Sequence, residues 1–229
     1  LATTARSILE RDLPEIDDGV TIEHLLAHRS GIGDYLDEGE IDDWTAFTMP
    51  VPAQFLVDTT DYLPALDGHP TKFAPGERFE YCNGAFVVLA LLAERASGRG
   101  YHELVDDLVF GPAGMNDSAF LRSDALPSRA ALGYLYDVDA DDGRRDQRRA
   151  ESASSGRSGD EADPLRTNVF HLPIRGNGDV GAYSTAADLQ RLWTAMFGGR
   201  IVAPDLVAEL VQPHSDCPEY RRRYGLGFW

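Results

Sequence analysis

Residues 20–35, VTIEHLLAHRSGIGDY, carry a complete helix signature. Thr21 is an N-cap residue, able to accept from the free N–H groups of a first helical turn, and Val20 and Leu25 stand at the spacing of a hydrophobic staple. The pattern predicts a helix over 21–29, with Gly31 as its C-terminal stop. His24 and His28 fall four residues apart on one helical face, the spacing of a pair of metal ligands. Between them lie Leu25, Leu26 and Ala27, so the glutamate of the zinc-protease pattern HExxH is missing and the histidines read as structural.

Outward from this block, helical patterns alternate with turns. Residues 34–72 are acidic and punctuated by Pro50, Pro52, Pro64 and Pro70, which predicts short helices and loops around Trp44, Phe47, Phe55 and Leu56. A turn at Pro75-Gly76 leads through Phe79-Glu80-Tyr81-Cys82-Asn83 into a helix over 84–97. That helix is apolar on nearly every side, hence buried, and Gly98 ends it. Residues 101–110 predict an amphipathic helix, 130–138 a strand, and 168–174 an extended segment. Residues 139–163, rich in Asp, Arg, Ser and Gly, predict a flexible loop. Thr185 and Asp188 read as a capping box opening a helix through Phe197, stopped by Gly198-Gly199, and Pro204 begins another through Val211.

The 229 residues carry a formal charge of −17, with 43% hydrophobic and 26% charged residues, the balance of a soluble globular domain. Binding to nucleic acid is excluded as a general function, because affinity for phosphate needs lysine and arginine. Arg144, Arg145, Arg148 and Arg149 are interleaved with acids and read as a solvated loop. The longest apolar run, residues 85–93, is far short of the roughly 20 residues of a membrane span. Cys82 and Cys217 are the only cysteines, too few for a disulfide framework. No secretion signal is read in LATTARSILERD, so a reducing, cytoplasmic setting is favoured.

Several catalytic patterns fail in context. Residues 176–181, GNGDVG, match GxGxxG, but the glycines do not open a helix directly and no βαβ repeat surrounds them. No serine has glycine two before and two after, which removes the nucleophile elbow. Cys82 has no basic partner nearby in sequence and reads as a small buried thiol.

Taken together, five blocks carry a resemblance. Residues 20–35 resemble the ITxxHLLxHTSGL block of serine β-lactamases and penicillin-binding-protein-like hydrolases, a group that includes D-alanyl-D-alanine carboxypeptidases and esterases. Phe73, Pro75, Gly76, Phe79, Tyr81 and Asn83 match its FxPGxxFxYSN. Residues 110–118, FGPAGMNDS, are similar to FxPLGMxDT, Gly133-Tyr134 follows, and residues 176–189 resemble GxGGLxSTxxDL. The resemblance implies an α+β fold, a helical region plus an antiparallel sheet, as one domain over 1–229. It implies no metal or organic cofactor, and a small-molecule or peptide substrate attacked at an amide, β-lactam or ester bond through an acyl-serine intermediate.

By that resemblance Tyr81 assists proton transfer and Asn83 contacts substrate, while Gly178 and Gly181 belong to a loop bordering the cleft. The family's S-x-x-K is absent: Lys72 is the only lysine and His69 stands three before it, while Ser7 is followed at that spacing by Glu10. The K/H-T-G strand is absent too, since His28-Arg29-Ser30-Gly31 precedes Tyr81 and ends a helix. Both missing elements are expected outside the 229 residues, leaving the sheet incomplete here, with residues 224–229 resembling the strand-like YGLGW before the missing segment. The alternative is a catalytically inactive module that kept the fold and lost its nucleophile.

Overall fold

A computed structural model describes residues 1–41, 46–135 and 166–229. The chain opens with a single turn, α1 (Arg6–Leu9), whose Leu9 is buried. Helix α2 (Ile22–Leu26) begins as the sequence predicts: Thr21 Oγ1 accepts from the His24 N–H at 3.2 Å, and His24 Nδ1 accepts from the Thr21 N–H at 3.3 Å. This is a capping box with histidine in the usual place of glutamate. Val20 and Leu25 are both fully buried in one cluster with Leu9, Ile16, Val88 and Leu91.

The end of α2 differs from expectation. The left-handed residue is His28, at φ 52°, and not Gly31. Gly31 also has a positive φ, 69°, but for another reason: a β-carbon there would stand 2.1 Å from the Phe73 carbonyl oxygen. Residues 28–31 are laced to residues 72–80, with the Lys72 N–H donating to the Gly31 carbonyl at 2.8 Å, Gly76 to Arg29 at 2.8 Å and Glu80 to His28 at 2.9 Å.

Two 3₁₀ turns, Ala53–Phe55 and Thr59–Tyr62, and the short α3 (Leu63–Leu66) follow. Leu56 is fully buried as expected, whereas Phe55 lies 63% exposed. Trp44 lies outside the described residues. Helix α4 (Asn83–Ser97) is the predicted buried helix, burying Ala85, Val87, Val88, Ala90, Leu91 and Leu92 and closing on Gly98 in the left-handed region. It packs against α1, α2, the Thr59–Tyr62 turn and α5 (Tyr101–Val105).

The helix expected over 101–110 is broken. After α5 the chain widens into a π turn over Asp106–Phe110 before α6 (Gly111–Ala113). Pro112 has no N–H to return to the Leu108 carbonyl, so regular winding stops there.

Strand β1 (Tyr134–Leu135) pairs antiparallel with β2 (Arg166–Thr167). The predicted loop 139–163 lies outside the described residues. The extended segment expected over 168–174 is a run of turns instead; the His171 N–H closes back on the Asn168 carbonyl at 2.9 Å, the local closure that an asparagine favours.

Helix α7 (Ala186–Phe197) has Thr185 as its N-cap. The Asp188 carboxylate does not return to Thr185, as a capping box would require. It is fully buried and accepts from the Asp117 N–H and the Ser118 hydroxyl, both at 2.8 Å, and from Arg191. Helix α8 (Pro204–Val211) leads to an antiparallel pair, β3 (Ser215–Cys217) with β4 (Arg222–Tyr224). The architecture is α+β, a helical body with two small antiparallel pairs among the described residues. No helix among them is long and apolar enough to cross a membrane.

Because Gly31 needs both a left-handed backbone and the space of a β-carbon, Gly31→Ala is expected to cost about 3 kcal/mol or more. Chemical denaturation that finds the variant within 0.5 kcal/mol of the parent, roughly the range of neutral surface changes, would count against this packing.

Candidate active site

Tyr81 and Asn83 sit at the head of α4. The helix starts inside the protein, where its first N–H groups have no water to turn to. Cys82, the N-cap residue, offers no side-chain cap. The acceptor is Asp34, 8% exposed, whose carboxylate takes the Asn83 N–H at 2.6 Å, the Gly84 N–H at 2.9 Å and the Leu36 N–H at 3.1 Å. Burial pushes the Asp34 carboxyl above its usual range even against these three hydrogen bonds, which pull it down.

Asn83 is almost fully buried. Its Nδ2 donates to the Leu36 carbonyl at 3.0 Å and to Glu38 Oε1 at 3.2 Å, so both amide protons are committed. Tyr81 is 37% exposed, and its hydroxyl makes no hydrogen bond among the described residues. Its ring lies 4.4 Å from that of His28, tilted by 37°. Partial burial raises the Tyr81 phenol above its ordinary value, and the charges of Glu38, Asp179 and Asp34 raise it further.

The loop of residues 176–181 rests on the same helix. A β-carbon on Gly178 would lie 2.1 Å from the Phe86 carbonyl oxygen and 3.1 Å from the Ala90 side chain. Gly181, at φ 90°, passes so close to Gly176 that a β-carbon would meet its Cα at 2.5 Å. Asn177 ties the loop down, donating to Thr59 at 3.1 Å while its Oδ1 accepts from the Gly178 N–H at 2.7 Å. Both glycines thus have a packing reason for their identity. The loop also brings Asp179 to Tyr35, whose hydroxyl donates to Asp179 Oδ2. Asp179 Oδ1 is buried without a hydrogen-bond partner among the described residues, and burial pushes this carboxyl from 3.8 up to about 6.

The structure therefore gathers all four residues singled out in the sequence, Tyr81, Asn83, Gly178 and Gly181, around the first half of α4. It adds Asp34, Tyr35, Glu38 and Asp179, which the sequence reading passed over. Asp34 and Tyr35 lie inside the quoted block and Asp179 inside the glycine run, so acids next to glycine turns were the available signal.

Other candidates fall away. His24 is used in the α2 cap and His28 turns into the core, so the pair does not converge. Among the described residues no group of three or more His, Cys, Asp or Glu is placed to hold a metal. Burial pushes the Cys82 thiol well above its ordinary value, which leaves it a poor nucleophile. Lys72 is held by Asp37 and by Glu80 at 2.8 Å, and those partners raise its pKa against the opposing effect of burial, so it is not a base near neutral pH.

The Beta-lactamase family model matches residues 4–229. An esterase of Burkholderia gladioli is 31% identical over 203 residues, 86% of this chain and 50% of its own length. A penicillin-binding protein of Bacillus subtilis is 37% identical over 123 residues, 52% of this chain and 26% of its own length. The crystal structure of a penicillin-binding protein from Bacillus halodurans superposes with a TM-score of 0.81 at 35% identity, over 98% of this chain and 60% of that one. The chain spans half or less of the length of these two curated relatives.

The Asp179 carboxyl binds its proton more tightly when folded than when unfolded, so its contribution falls as pH rises from about 4 to about 6 and is level above that. Asp179→Asn keeps an acceptor for Tyr35 and removes the charge. It is expected to stabilise the protein at pH 7 by about 1–2 kcal/mol and to leave it unchanged near pH 4. Thermal melts showing equal shifts at both pH values would contradict this.

Proposed function

The chain belongs to the beta-lactamase family, and from that premise we propose that it is part of a serine hydrolase cleaving an amide, β-lactam or ester bond through an acyl-serine intermediate. The observation that carries the proposal is a half-exposed Tyr81 phenol with no hydrogen bond among the described residues, set beside Asn83 and the 176–181 loop. Tyr81 passes a proton to and from the serine. Asn83, with both amide protons already given to Leu36 and Glu38, receives a substrate N–H on its Oδ1, an arrangement better suited to an amide than to a simple ester. Gly178 and Gly181 shape the loop that borders the substrate.

The electrostatics say what else the site needs. A tyrosine acting as a base near pH 7 must lose about three pKa units, about 4 kcal/mol. Here burial, Glu38, Asp179 and Asp34 all push Tyr81 the other way. A serine and its lysine in S-x-x-K, supplied from outside these 229 residues, bring the nucleophile and the missing positive charge together.

The test is intact-mass analysis of the full-length natural protein before and after a reactive β-lactam and an activated phosphonate. One adduct, mapped to a serine of S-x-x-K, is the expected result. A full-length protein that takes up neither reagent would overturn the proposal and leave the inactive module. Within the active protein, Tyr81→Phe should lower kcat by about 10²- to 10⁴-fold with the fold retained by circular dichroism.

A further inference from the structure

Helix α2 closes in a Schellman motif, with the Arg29 N–H on the His24 carbonyl at 2.8 Å and the His28 N–H on the Leu25 carbonyl at 3.2 Å. His28 fills the left-handed position, at φ 52°, where glycine is the ordinary and unstrained occupant. Its side chain is 1% exposed, and Nε2 has no hydrogen-bond partner among the described residues. Residue 28 thus carries backbone strain and a buried unpaired nitrogen at once. Strain held at one residue is a pointer toward function.

Outside its own helix, the hydrogen bonds of the histidine among the described residues are confined to one segment. Its carbonyl accepts the Glu80 N–H at 2.9 Å. Its Nδ1 accepts the Cys82 N–H at 3.2 Å. Its ring lies 4.4 Å from the ring of Tyr81, between the two. Phe86 and Tyr224, with ring centroids at 5.0 and 4.9 Å, flank the imidazole and limit its movement.

We propose that His28 is a positioning residue for Tyr81, fixing the backbone on both sides of the tyrosine and the plane of its ring. The inference rests on the reading of Tyr81 as the proton-transfer residue. Since Nδ1 accepts, the proton of the neutral ring is on Nε2. Burial, which lowers the His28 pKa to about 4, supports a neutral ring at neutral pH. Leucine would fill the space without an unpaired nitrogen, and glycine would relieve the backbone. Neither would hold the Cys82 N–H. Asparagine tolerates the left-handed conformation and offers an acceptor at the δ position, though no ring.

The experiment compares His28→Leu and His28→Asn in the full-length natural protein, with 4-nitrophenyl acetate as the reporter ester. His28→Leu is expected to lower kcat about tenfold or more with KM within about twofold, and His28→Asn to recover kcat to within about threefold of the parent. Equal losses of kcat in the two variants, or a loss carried by KM, would overturn the proposal. Imidazole ¹⁵N spectra of the unmutated protein between about pH 6 and 8 provide a readout that needs no activity. They should show Nδ1 unprotonated and Nε2 protonated; a protonated Nδ1 overturns the proposal even if a variant fails to fold. A protein that hydrolyses no ester and takes no acyl adduct would sink the proposed function instead, while the spectra still decide whether His28 holds Cys82.

Discussion

A helix whose first turn is buried must find acceptors for N–H groups that cannot reach water, and α4 finds them in one carboxylate. Asp34 serves Asn83, Gly84 and Leu36 together. Residues 28–36 must therefore lie across the head of α4, and residue 84 is crowded, since a β-carbon there would stand 3.1 Å from Asp34 Oδ1. The same crossing puts His28 under Tyr81, Leu36 and Glu38 on the amide of Asn83, and Tyr35 within reach of the 176–181 loop. The candidate site is the outer surface of this one buried junction.

That junction is electrostatically lopsided. The charges that influence Tyr81 from Glu38, Asp179 and Asp34 are all negative, and the chain's single lysine is spent on Asp37 and Glu80. An arrangement of this sign keeps a phenol protonated and disfavours further anions. It is suited to receiving a cation, and a hydrolase that used Tyr81 as a proton carrier would need one there.

Much of this was legible in the sequence, and the rest had a physical reason to stay hidden. Helix α4 could be read because an apolar run between a Pro-Gly turn and Gly98 admits little else, and Thr21 announced the start of α2 because capping is a local event. Tyr81, Asn83, Gly178 and Gly181 stood out as motif letters. The end of α2 was misplaced because a histidine occupies the position that glycine ordinarily takes, and Gly31 is required by Phe73, more than forty residues away in sequence. The break after Val105 and the turns over 168–174 were missed because a single proline and a single asparagine outweighed an otherwise regular pattern. Asp34, Glu38 and Asp179 stand beside glycine turns, but what they do there is set by Asn83, Gly84 and Tyr35, partners 45 or more positions away that no local window contains.

The distance between Asp34 and the helix it closes has a consequence for synthesis. Asp34 and Gly84 are separated by 50 positions, so at about 5–20 residues per second the acid leaves the ribosome several seconds before the N–H groups it will accept. During that time it is an ordinary hydrated carboxylate near Tyr35 and Leu36. In the folded protein that water has been exchanged for the helix N–H groups, and the same docking holds Tyr81 and His28 face to face. Closing the junction thus joins two stretches made seconds apart, and the candidate site is complete only after the 176–181 loop has followed and Asp179 has met Tyr35.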